Sequence, residues 1–231
     1  MKNILFVFLS YGLIALSACG PESKDTANKE NNSANHEMER SFPRSIDYGK
    51  FSEENGKKYL YGGEGDGKDF DITGYALKDE QFHFGKGREK FPALLEPNFI
   101  TMELADKIYP DSARFLMLNM DGVKKAYSIK DLTRHEVIND EINGKPIMAA
   151  YCILADLGAV YDRTLIDRKF TFALSGYTYY DNDVWDGTDG FVLWDRETES
   201  LWWPLIGKAV SGPMMGAKMK VLPEEYWQQT T

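Results

Sequence analysis

Past its first forty residues, this chain carries its apolar positions in short runs divided by turn-forming residues. Lys58–Tyr61, Phe115–Asn119, Lys124–Ile129, Pro146–Ile153, Phe170–Leu174 and Gly190–Trp194 each have the length and the β-branched or aromatic content of a strand. Asp121-Gly122 and Asn143-Gly144 each sit between two such runs, where a two-residue hairpin turn belongs. Thr101 to Ile108 has helical spacing, with Thr101 placed to cap it and Pro110 to stop it. Shorter helical turns follow Ser128. The pattern predicts a mainly β, α+β fold with minor helix, a single compact domain of antiparallel hairpins over residues 42–231. That length is enough for one domain with its own core.

The N-terminal segment differs in kind. Met1-Lys2-Asn3 is short and positively charged, and Ile4 to Ala18 is apolar apart from Ser10, Tyr11, Gly12 and Ser17. The run is about 15 residues, whereas a helix needs about 20 to span a bilayer, so a signal segment fits better than a permanent span. It closes on Leu16-Ser17-Ala18-Cys19-Gly20, which resembles the lipobox of bacterial lipoproteins. The resemblance implies removal of residues 1–18 and acylation of Cys19, by palmitate and related chains, as the anchor to a lipid bilayer. Several chains on one residue hold stably where one is marginal. Gly20 carries no inner-membrane retention signal, which favours the outer membrane. Residues 19–41, with Pro-Glu-Ser-Lys-Asp-Thr and Asn-Asn-Ser-Ala-Asn among them, hold too little apolar surface to offset ordering. They read as a flexible tether, and His36 within it as a solvated histidine.

The formal charge of -9 repels phosphate backbones, and basic stripes interleaved with aromatics are missing, so nucleic acid is not an expected partner. There are two cysteines; with Cys19 committed to lipid, Cys152 has no disulfide partner within the chain.

From Phe91 onward the sequence resembles the domain-of-unknown-function family DUF 3179. The resemblance runs through Phe91-Pro-Ala-Leu-Leu-Glu-Pro-Asn-Phe99, Leu132-Thr-Arg-His-Glu-Val-Ile-Asn-Asp140, Gly144-Lys-Pro146, Tyr151-Cys152, Val160-Tyr-Asp-Arg163, Phe172-Ala-Leu-Ser-Gly176 and Trp194-Asp-Arg-Glu-Thr-Glu-Ser-Leu-Trp202. It implies no particular activity. Two departures stand out. A Tyr-Cys-Pro-Leu-Cys run of the family reads Tyr151-Cys-Ile-Leu-Ala155 here, which removes paired-thiol chemistry, and its Leu-Trp-Ser-Gln reads Leu201-Trp-Trp-Pro204.

The Asn143-Gly144 turn sets Ile142 opposite Lys145. Carried outward by equal steps, that register puts His135 opposite Cys152 in a non-hydrogen-bonded pair, where side chains approach most closely. An imidazole beside a thiol could hold a soft metal, copper or zinc, or support redox chemistry. A third ligand would come from His83, Met214 or Met215. The bland alternative is a buried cysteine against a hydrogen-bonded histidine. A catalytic alternative makes Cys152 the nucleophile, His135 the base and Asp140 or Asp156 the orienting group. Asp181, Asp183 and Asp186 could gather calcium, although their spacing suits a solvated turn better. Asp195 and Arg196 could form a ligand-binding rim. Trp202 and Trp203 should face opposite ways, one into the core and Trp203 as an exposed platform.

The sequence thus predicts a membrane-anchored, extracytoplasmic binding module with a His135/Cys152 soft-metal or redox site. A cysteine-dependent enzyme acting on an envelope substrate and a pure protein-interaction module are the alternatives.

Overall fold

The computed structural model describes residues 5–8, 48–186 and 189–230. Cys19, the cleavage position before it, His36 and the tether therefore lie outside the described residues. The fold is mainly β, with several antiparallel sheets and two α-helices among the described residues. None of these helices is long and apolar enough to cross a membrane.

Among the described residues, four of the five sheets stack face to face. One central sheet runs Lys220–Val221, Leu157–Asp162, Lys145–Cys152, Val137–Ile142 and Leu94–Leu95; the other runs Lys208–Ala209, Leu201–Trp203, Gly190–Asp195, Phe172–Tyr179 and Phe82–Phe84. Between them lie Met148, Ala150, Cys152, Phe172, Leu193, Trp202 and Met214. The far face of the first carries Ile138, Ile147, Ala149 and Val160 onto an outer sheet built on Phe115–Met120 and Val123–Ser128. The far face of the second carries Tyr177, Tyr179, Val192 and Trp203 onto the three-stranded sheet Phe51–Glu54, Lys57–Leu60, Phe70–Asp71.

Strands covered on both faces read as near-continuous apolar runs, with any polar residue in them tied by hydrogen bonds. That is why Gly190–Asp195 is buried along its whole length. It also corrects one expectation. Trp202 and Trp203 do face opposite ways, but each meets a packed layer, so both are buried and Trp203 is no platform.

Both predicted hairpins form. Asp121 and Gly122, like Asn143 and Gly144, have positive φ at both central positions, the geometry whose twist suits a two-residue hairpin. Helix α1, Met102–Ile108, is capped by Thr101, whose hydroxyl accepts from the Leu104 amide. Helix α2, Ile129–His135, is capped likewise by Ser128 and buries Ile129 and Leu132.

The segment Leu5–Phe8, inside the expected signal region, forms a strand of the outer sheet. It runs parallel to Val123–Ser128 and antiparallel to Phe99–Ile100.

Candidate functional site

The Asn143-Gly144 hairpin keeps the predicted register from Ile142↔Lys145 to Val137↔Ala150. There the ladder ends, because helix α2 extends through His135 and Glu136 turns the chain in a left-handed conformation (φ 54°). His135 and Cys152 are therefore not cross-strand partners. Cys152 instead pairs on its other side with Leu157. The His135 ring donates through Nδ1 to the Pro92 carbonyl at 2.8 Å and so fastens the Phe91–Phe99 segment to α2.

Glu136, one residue further on and level with Tyr151, brings its carboxyl to the Ile153 amide just past Cys152. Its amide donates to the Leu132 carbonyl at 2.6 Å and its carbonyl accepts from Tyr151 at 2.8 Å, so the strained backbone is held at both ends. The residue is only 9% exposed. Burial pushes its carboxyl up to about 7, and a hydrogen bond from the Ile153 amide opposes the rise. Cys152 lies beside it, also buried. The thiol is pushed above its usual range, first by burial and further by the Glu136 charge, while the amides of Ala155, Phe191 and Leu154 donate to sulfur and pull the other way. Over this corner the turn leaves Ile153, Leu154 and Leu157 exposed. A carboxyl that titrates near neutrality, a thiol ringed by amides and an apolar rim thus meet at one end of the central sheet.

The other candidates have structural work. His83 pairs with Asp189, which also accepts from Thr178. Met214 lies in the core near Cys152, whereas Met215 is exposed. Asp140 takes Lys125 Nζ at 2.7 Å and the Tyr127 hydroxyl at 2.8 Å, and Asp156 takes Arg114 and Tyr151; His135 reaches neither. Asp181 accepts from the Asp183 amide at 3.0 Å, closing a turn. No group of three or more His, Cys, Asp or Glu able to hold a metal is found among the described residues.

Asp195 is fully buried and accepts from the Thr198 amide, the Thr198 hydroxyl and Trp202 Nε1. Arg196 grips both oxygens of Glu89 at 2.9 and 3.0 Å. The rim read from sequence is thus a tied turn.

Much of the remaining family resemblance is explained the same way. Asn139 reaches across the central core, its amide group donating to the Phe172 carbonyl at 2.8 Å and accepting the Phe172 amide at 2.9 Å. Arg163 is buried and gives its three guanidinium nitrogens to the carbonyls of Ile147, Phe170 and Asp140. Glu136 is the exception, and sequence reasoning passed over it because a glutamate after a helix ordinarily faces water. The available signal was the capping serine at 128, which starts a helix long enough to absorb His135 and displace the next residue.

No curated protein and no solved structure matches this chain. A family model does match, over residues 88–230, and that span includes the Glu136–Cys152 corner together with the Asn139, Arg163 and Asp195 ties. The chain therefore belongs to the family described as "Protein of unknown function (DUF3179)".

Proposed function

We propose that this protein is an exported, lipid-anchored binding module whose binding site is the Glu136–Cys152 corner. Glu136 is the observation that carries the reading. Asn139, Asp140, Arg163 and Asp195 all join parts of the fold, whereas a buried carboxyl on a left-handed backbone position opposes stability. Residues that oppose stability and are nonetheless held firmly are the ones a site requires. The exposed Ile153, Leu154 and Leu157 offer a partner apolar contact beside that carboxyl. The apolar start of the chain and the Leu16-Ser17-Ala18-Cys19 box support export and anchoring through Cys19.

The cysteine-enzyme alternative needs a thiolate at neutral pH and a base beside it. Burial opposes the first, and His135 is held by Pro92 instead. Alkylation by iodoacetamide, read at Cys152 by peptide mass across a pH series, separates the two. A binding module leaves Cys152 unmodified in the folded protein until the pH exceeds the ordinary thiol range. Rapid modification near pH 6 would overturn the reading in favour of the enzyme. Labelling with palmitate, lost in Cys19→Ala, tests the anchor.

A further inference from the structure

The outer sheet contains a place for a strand that the processed protein would not fill. Across the Asp121-Gly122 hairpin, Met120 pairs with Val123 and the register continues to Phe115↔Ser128. In such a ladder Val123, Lys125 and Tyr127 turn their backbone groups toward Phe115–Met120, so Lys124 and Ala126 turn theirs the opposite way. Leu5–Phe8 lies on that opposite side, with Leu5↔Lys124, Phe6↔Lys125 and Val7↔Ala126. Its other edge meets Phe99–Ile100. Helix α1 packs Ala105 against Ala126 and leaves Met102, Leu104 and Ile108 exposed, an apolar rim over the same sheet.

Removal of residues 1–18 takes this strand away. The backbone groups of Lys124 and Ala126 then border a gap one strand wide, with Phe99–Ile100 on its far side. A strand edge left in that state is a template for another chain. We propose that in the processed protein this gap is a β-augmentation site for an extended, uncharged, apolar segment of another exported protein. The segment would lie parallel to Val123–Ser128. The Leu-Phe-Val-Phe sequence that occupies the gap here defines the chemistry of the occupant. Ladder hydrogen bonds would supply affinity, and alternate side chains selectivity. The proposal rests on export with loss of residues 1–18.

The test uses a fluorescent peptide carrying Leu-Phe-Val-Phe between solubilising lysines, and a copy N-methylated at alternate residues. Three proteins are compared by anisotropy: the full chain made without export, the same chain with Val7→Pro, and the lipoprotein purified from membranes. The unexported chain should bind roughly tenfold more weakly than the other two, since its own segment competes. The N-methylated copy should lose at least as much, the worth of one or two backbone hydrogen bonds. Failure of Val7→Pro to gain binding, or equal binding of the methylated copy, would overturn the proposal. So would dimerisation of the processed protein without peptide, which assigns the gap to a second copy. A membrane-purified mass that still includes residues 1–18 would sink the export reading instead, while the Val7→Pro comparison still decides whether the gap binds.

Discussion

Glu136 couples the stability of the fold to pH in a direction opposite to that of most acidic residues. Its carboxyl moves from an ordinary value of 4.5 in the unfolded chain to about 7 in the fold. Between those values the folded state holds a proton that the unfolded state has lost, so stability falls as pH rises through this window and levels off above it. The shift corresponds to about 3 kcal/mol at most. Asp71 acts in the other sense, because the hydrogen bond from Lys57 lowers it to about 2, but its window lies below that of Glu136. Urea unfolding at pH 5 and pH 8 should show Glu136→Gln gaining on the parent at the higher pH by about 2–3 kcal/mol and matching it more closely at the lower. An equal difference at both pH values would refute the assignment. Cys152 and His135 show where residue-level reading stops. The register between their strands was readable from the turn, but whether a strand or a helix holds His135 depended on how far α2 ran.

At the scale of elements, local chemistry was the most legible. Asp-Gly and Asn-Gly turns, and the Thr101 and Ser128 caps, announce themselves because their physics lies within a few residues. Features that depend on distant partners did not. The Trp202-Trp203 pair looked half exposed because alternation implies one wet face, and only the stack shows both faces dry. Gly176 is a second case. Between Leu174 and Tyr177 the ladder with Gly190–Asp195 shifts register, and Gly176, at φ 86°, accepts from the amides of Gly85 and Lys86. A Cβ there would lie 2.1 Å from the Gly87 carbonyl carbon, a backbone atom that cannot move aside alone. Gly176→Ala therefore combines left-handed strain with a clash and should cost about 3 kcal/mol in chemical denaturation. A cost under about 1 kcal/mol would mean that the Gly85–Gly87 segment yields readily.

At the scale of the whole molecule, the β-rich class was legible from run lengths and turns, but the four-layer stack was not, since nothing local says which faces meet. The layers touch mainly through side chains, with Asn139 a direct polar link between the two central sheets. Asn139→Leu keeps the branching of the side chain while leaving the Phe172 amide and carbonyl buried without the Asn139 partner. It should lower stability by about 3 kcal/mol and raise binding of a hydrophobic dye with little change in far-ultraviolet dichroism. Unaltered dye binding and stability would show that the packed side chains alone hold the layers. The Asn139 link has a consequence for the corner as well. Cys152 belongs to one central sheet and the Phe191 amide that reaches its sulfur to the other. Asn139 thus acts as a shear pin between two plates, and the thiol sits across the joint as a gauge. A slip of one plate along the other would withdraw an amide from sulfur, so the acidity of Cys152 reports how well the layers are aligned.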